Sequence, residues 1–334
     1  MAQSVRVADI ARAAGVSAGT VSKVLNDTGQ IREQTREKVL EAARSLGVSV
    51  RRRDSSASRY DKRDLTFGVL STDEYGRFMV GMLGGVEDVA TSSDVDLMLG
   101  AIRGDTVREN YHVARLLKRG VDGILVTGST SEIRPSIGRF PGVPVVYALG
   151  ASDDPTDHSV VPDDEAVGYL GVQHLLSLGR TAIAVIAGQE DSLTSSRRVA
   201  GANAALADHA PANARMDVIH GQWTENWGRT AAASLLAGGR KLDGIFCVSD
   251  QVARGVLDHL RERGIQVPDD IAVLGVDNWD LMVEASRPTL TSVDLNLRKI
   301  GELAASRLLA AARGEPLEPR IEYVRPFIAT RQST

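Results

Sequence analysis

From Leu65 onward the chain alternates between two hydrophobic periods, and that alternation restricts the fold more than any other feature. Short apolar runs, LTFGVL, VDLMLGA, GILVTG, PVVYAL, AIAVIAG, MDVIHG, GIFCVS and IAVLGVD, have the length and content of strands buried in a parallel sheet. Between them MLGGVEDVA, VGYLGVQHLLSLG, RRVAGANAALADHA and QVARGVLDHLRERG carry the spacing of amphipathic helices. Such alternation predicts an α/β body with helices on both faces of parallel sheets. Eight or more strands between residues 65 and 334 favour two doubly wound lobes over one sheet. The expected division is about 65–162 with 291–325 for the first lobe, and about 163–290 with 326–334 for the second.

In doubly wound folds ligands sit beyond the carboxyl ends of the strands. Those ends read Ser71-Thr72-Asp73, Thr127-Gly128, Gly188-Gln189, Gln222-Trp223, Ser249-Asp250 and Asp277-Asn278-Trp279. Each alone is also what a turn or helix cap looks like. Their recurrence at the same end of successive strands predicts one shared cleft. Carboxylates that accept from hydroxyls, beside indoles that stack on a ring face, suit a polyhydroxylated ligand.

Residues 1–47 have a different character. Val7, Ile10, Ala11 and Ala14, then Val16, Val21, Val24 and Leu25, keep helical spacing with one break at Gly15-Val16-Ser17. Gly15 suits the left-handed position after a helix, and Ser17 suits the next N-cap, reaching the amide of Thr20. The pattern predicts a helix-turn-helix. A third helix, from about Glu33 to Leu46, turns Val39, Leu40, Ala43 and Leu46 towards the first two.

Charge separates the same regions. Residues 1–63 hold 13 Lys and Arg against 7 Asp and Glu, whereas the remaining 271 residues hold 26 against 36. A basic head on an acidic body predicts a polyanion-binding module attached to something else. The single cysteine, Cys247, rules out an intramolecular disulfide, and the N-terminus shows no secretory apolar segment, so a cytoplasmic, non-membrane protein is expected. No GxxxxGK[ST] or GxGxxG loop is present. The six histidines lack HxxxH or HExxH spacing, so neither an enzyme, a metal nor a cofactor is expected.

The motif AxxAGVSxxTVSxVLN followed by TREKVLEAAxxLG resembles the lactose-repressor (LacI/GalR) family of bacterial transcription regulators. GVQHLLSLG, VSDQVARGV, IAVLGVDNWD and the final FIATRQST extend the resemblance across the body. It implies a helix-turn-helix domain at 1–47, a hinge at 48–64 and an effector-binding and dimerisation domain at 65–334, the last resembling periplasmic sugar-binding proteins. Partners implied are double-stranded DNA with a pseudo-palindromic operator, a mono- or oligosaccharide effector, and a second or fourth copy of the chain. Some family members instead use a purine corepressor. A sugar-binding protein without a DNA role would need export and is opposed by the basic head.

Residue by residue, the resemblance directs Ala18, Gly19 and Lys23 at base edges, with Ser17, Thr20, Ser22, Asn26 and Gln30 as further DNA contacts. It places effector contacts at Arg198, Trp223, Ser249, Asp250 and Asp277, and less directly at Thr72, Asp73, Tyr75 and the pair Asp163-Asp164. Pairing of Arg198 with Asp191 is an alternative to ligand contact. Two departures stand out. Arg32 replaces a capping serine, and Val50, Arg51 and Ala57 replace the proline, asparagine and wedge leucine of the hinge. Without the leucine, Arg51, Arg52, Arg53 and Arg59 are expected to follow phosphates or enter a narrow minor groove, with a merely solvated tether as the alternative.

Overall fold

The computed structural model describes residues 7–25, 31, 33–46, 65–72, 76–128, 130–239 and 241–334. Asp73, Tyr75, Asn26, Gln30, Arg32 and the hinge residues Arg51, Arg52, Arg53 and Arg59 lie outside them. The chain divides into two compact units, Met1–Asp61 and Lys62–Thr334.

Among the described residues the first unit has three helices, α1 (Val7–Ala14), α2 (Ala18–Leu25) and α3 (Glu33–Ser45). Gly15 adopts φ +66°, and Ser17 Oγ accepts from the Thr20 amide at 3.1 Å, so turn and cap form as the sequence predicts. Ile10, Val21, Val24, Val39, Leu40 and Ala43 form the core. Leu46 differs from expectation. It lies past the end of α3 and is exposed, while Ala42 fills the core position one turn earlier.

The second unit begins with β1 (Leu65–Ser71), α4 (Arg77–Ser92), β2 (Val95–Ala101), α5 (Thr106–Arg119) and β3 (Gly123–Thr127). A short pair, β4 (Ile133–Arg134) and β6 (Ala151–Ser152), brackets β5 (Val145–Ala148), and β7 (His158–Pro162) follows. The chain then crosses into α6 (Asp164–Ser177), β8 (Ala182–Ala187), α7 (Leu193–His209), β9 (Arg215–His220) and α8 (Glu225–Ala237). It continues through β10 (Gly244–Cys247), α9 (Asp250–Glu262), β11 (Ala272–Val276), α10 (Asp280–Val283) and β12 (Thr291–Asp294). It returns as α11 (Leu297–Ala312) and β13 (Arg320–Val324), and ends in β14 (Phe327–Ala329).

Two six-stranded sheets result, in the orders β13-β7-β5-β3-β1-β2 and β14-β12-β11-β10-β8-β9. The pairings are parallel except β12 with β14. Each order reverses beside its first strand, between β1 and β3 and between β8 and β10. These are the switch points where ligand sites form. The lobe boundary shifts from expectation: β12 pairs with β11 and belongs to the second sheet, so the return to the first lobe begins after Asp294 rather than at residue 291. Leu290 and Val293, both fully buried in the second lobe, are the physical reason.

Each sheet is covered by helix pairs that touch at glycine. A Cβ on Gly85 of α4 would lie 1.9 Å from Arg298 O of α11. One on Gly168 of α6 would lie 1.7 Å from Arg198 O of α7, and one on Gly255 of α9 would lie 1.9 Å from Glu225 O of α8. No other residue fits backbones at that distance. Among the described residues no helix is long and apolar enough to cross a membrane.

Candidate effector cleft and DNA-reading helix

In the first unit, Val21 and Val24 of α2 turn inward, which leaves Ser17, Ala18, Gly19, Ser22 and Lys23 exposed and Thr20 half-buried. Ala18 with Ser22, and Gly19 with Lys23, sit four apart and so share a helix face. A Cβ at Gly19 would meet only Ser17 Oγ, at 3.8 Å, so packing does not demand glycine there.

In the second unit a cavity of about 450 Å³ opens where the strand ends of the two lobes face each other. Arg77 and Phe78 come from the first turn of α4, and Ser131 and Glu132 from the segment after β3. Across from them stand Gln189, Asp191, Arg198, Trp223 and Asp277 of the second lobe. Trp223 packs its indole over Gly188, where a Cβ would lie 2.1 Å from the ring. That glycine lets the aromatic wall close on the end of β8.

Arg198 is 3% exposed, and two of its nitrogens bond Asp164 Oδ1 at 2.8 Å while Nη1 donates to Val248 O at 2.6 Å. Its partner is therefore Asp164, not Asp191. The guanidinium is thereby fixed at the cleft wall. Asp277 has φ +109°, a conformation that a non-glycine residue adopts only under constraint. The constraint is visible next to it: Asn278 donates its amide to Ser292 Oγ and its Nδ2 to Asp294, and accepts from Arg331 Nη2 at 2.8 Å. The turn so held aims Asp277 at Ser249 Oγ and Arg77 Nη1, each 3.3 Å away. Burial pushes the Asp277 carboxyl above its ordinary range, against the pull of Arg77 and Arg198.

Of the other sequence-predicted contacts among the described residues, Thr72, Asp163, Asp164, Ser249 and Asp250, none lines the cavity. Asp250 is fully buried, and its oxygens accept from Ser292 Oγ at 2.6 Å and the Trp279 amide at 2.8 Å. Burial, then the charge of Asp277, raises its carboxyl well above the usual range. It braces the Asp277 turn from behind rather than presenting a carboxylate to the cleft. Asp163 caps α6 through the Ala166 amide, and Ser249 caps α9 through the Gln251 amide. Thr72 Oγ1 donates to Thr127 O at 3.0 Å and closes the first switch point. Arg77, Phe78, Glu132 and Asp191 are among the lining residues the sequence reading missed. All follow within a few residues of a strand end, which was the available signal.

Glu132 has unusual partners. Its carboxylate accepts from Ser192 Oγ at 2.7 Å and from the amides of Leu193 and Thr194 at 3.1 Å each, at the start of α7. Burial raises its pKa, but these donors outweigh it and hold the carboxyl below the usual range.

A helix-turn-helix unit attached to a two-lobed body with a cleft at its switch points defines a class: ligand-responsive DNA-binding regulators. Residues 6–48 match the model for bacterial regulatory proteins of the lacI family, and residues 172–334 match the periplasmic binding protein-like domain. The chain is 30% identical over 331 residues to the HTH-type transcriptional repressor PurR of Vibrio campbellii, covering 98% of each chain. PurR of Vibrio cholerae serotype O1 is likewise 30% identical, with 98% of this chain and 97% of the relative covered. Among solved structures, a complex of the transcriptional regulator CelR with cellobiose is 26% identical with TM-score 0.65, covering 99% of this chain and 100% of that one. The lac repressor dimer bound to operator and the anti-inducer ONPF shares the fold at TM-score 0.68 and 24% identity, with 99% of both chains covered. The chain belongs to the LacI family. It is a DNA-binding transcriptional repressor governed by a small-molecule effector, and not an enzyme.

Proposed function

We propose that the cleft binds a neutral polyhydroxylated molecule, a mono- or oligosaccharide, and that this binding changes operator affinity in a bacterial cytoplasm. The observation that carries the reading is the Trp223 indole standing in one cavity with Arg198, Asp277, Gln189 and Asp191. An aromatic face with convergent donors and acceptors matches the alternating apolar and hydroxyl surfaces of a sugar ring. Arg77 and Arg198 are balanced by Asp277 and Asp164, which leaves no unpaired cation among the described lining residues to demand an anionic ligand. The CelR structure was obtained with cellobiose. A purine is the second reading. Phe78 and Trp223 both line the cavity, as the walls of a slot for a planar base would, and the PurR relatives are in the same family.

In this reading Ala18 and Lys23 of a dimer read a pseudo-palindromic operator, and Arg51, Arg52 and Arg53 add phosphate contacts. The effector acts by preferring one lobe arrangement. A thermal-shift screen of saccharides and purine bases on the full chain tests the ligand class, each hit then being titrated against operator binding. Stabilisation by saccharides that also changes operator affinity is expected. Stabilisation by purines alone replaces the sugar reading. For the hinge, replacing Arg51, Arg52 and Arg53 with Ala should flatten the salt dependence of operator binding by about three phosphate contacts. An unchanged slope makes the segment a passive linker.

A further inference from the structure

The first amides of a helix normally find acceptors within their own segment. In α7 the N-cap Ser192 serves only one of them, the Ser195 amide, at 3.2 Å. The Leu193 and Thr194 amides are served by Glu132, which follows β3 and belongs to the other lobe. Ser192 Oγ donates to the same carboxylate, and Ser131 Oγ lies 3.1 Å from Thr194 Oγ1 beside it. The hydrogen bonds of the Glu132 carboxylate thus all cross the cleft. The acceptor is negatively charged and meets the positive end of a 17-residue helix. The same helix carries Arg198, which lines the cavity.

We propose that Glu132 is a positioning residue that latches the first lobe onto the first turn of α7. It sets how far the cleft opens and therefore how long any ligand stays. The latch does not depend on whether that ligand is a sugar or a purine. It also differs in kind from the Arg77–Asp277 ion pair across the same cleft. That pair joins two side chains, whereas Glu132 grips backbone and cannot be satisfied by a rotamer change within the second lobe.

The three neighbouring amides provide the test. Residue-resolved hydrogen exchange would be measured on the full chain for wild type, Glu132→Ala and Glu132→Gln. The Leu193 and Thr194 amides should exchange at least about tenfold faster in Glu132→Ala and by an intermediate factor in Glu132→Gln. The Ser195 amide, held within its own lobe, should keep its wild-type rate. Dipolar distances between spin labels at Lys118→Cys and Asn213→Cys, diluted with unlabelled protein, should lengthen in Glu132→Ala. Unchanged rates at Leu193 and Thr194 overturn the latch. So does uniform acceleration along α7, which would mean local unfolding, and so does an unchanged distance distribution, which would reduce Glu132 to a helix cap.

Discussion

The two lobes share a topology and use their polar residues in opposite ways. In the second lobe Arg198 and Asp277 at the cleft are buried and cross-braced, Arg198 on Asp164 and the Asp277 turn by Asp250 behind it, while Asp191 is exposed. In the first lobe the charges that reach the cleft, Arg77 and Glu132, have partners across the gap, on Asp277 and on α7. In the proposed reading, one lobe is a prepared surface and the other supplies the arms that close on it. Two copies of one architecture can therefore divide binding and closure between them.

The contrast can be broken most strongly at Arg198. Arg198→Ala leaves Asp164 buried without its cation and should destabilise the body by about 3–5 kcal/mol in chemical denaturation. Arg77→Ala leaves the buried Asp277 with its Ser249 bond and a raised carboxyl that can take up a proton, and should cost less, about 1–3 kcal/mol. Equal losses would erase the distinction between brace and arm. Next in size is Gly168→Ala, where the new methyl meets Arg198 O at 1.7 Å. About 1–3 kcal/mol is expected, together with weaker ligand binding because α7 must retreat. Gly85→Ala, against Arg298 O in the first lobe, should show a similar stability loss with less effect on the ligand.

Acid sharpens the comparison. In the first lobe Glu322 accepts two bonds from Arg307 at 2.9 Å, and these hold its carboxyl near a pKa of about 2 against the ordinary 4.5. A depressed carboxyl contributes stability above its unfolded pKa, and that contribution is lost as pH falls from 4.5 through about 2. Asp250 and Asp277 in the second lobe are raised, so the folded state takes up their protons first and mild acid favours it. Glu322→Gln should flatten the acid limb of stability by about 1 kcal/mol, allowing for solvent screening at the half-exposed arginine. Asp277→Asn should leave that limb in place. The smallest effect is at Gly19→Ala, which should stabilise the first unit by up to about 1 kcal/mol through helix propensity while altering operator preference.

Much of this was legible in the sequence because it rests on periodicity and local chemistry. The turn at Gly15 and the cap at Ser17 are written in adjacent residues, and the apolar runs became strands. What stayed hidden depends on partners far away in the chain. β13, where Ile321 and Tyr323 are exposed on either side of Glu322 and only Val324 is buried, has no apolar run to announce it. Polar residues at a strand end look alike until burial separates them: Asp277 reaches the cavity, while Asp250, one strand over, turns inward to Ser292 and Trp279. Arg77 and Glu132 needed the opposing lobe in place before their roles existed at all.

The glycine contact between α6 and α7 carries a mechanical consequence. Gly168 abuts the carbonyl of Arg198, the same residue whose guanidinium lines the cavity. A joint with no play transmits displacement in both directions. In the proposed reading a ligand that draws on Arg198 loads the same helix whose first turn Glu132 contacts. Whatever shifts that end from the other lobe is felt, without backlash, at the binding surface.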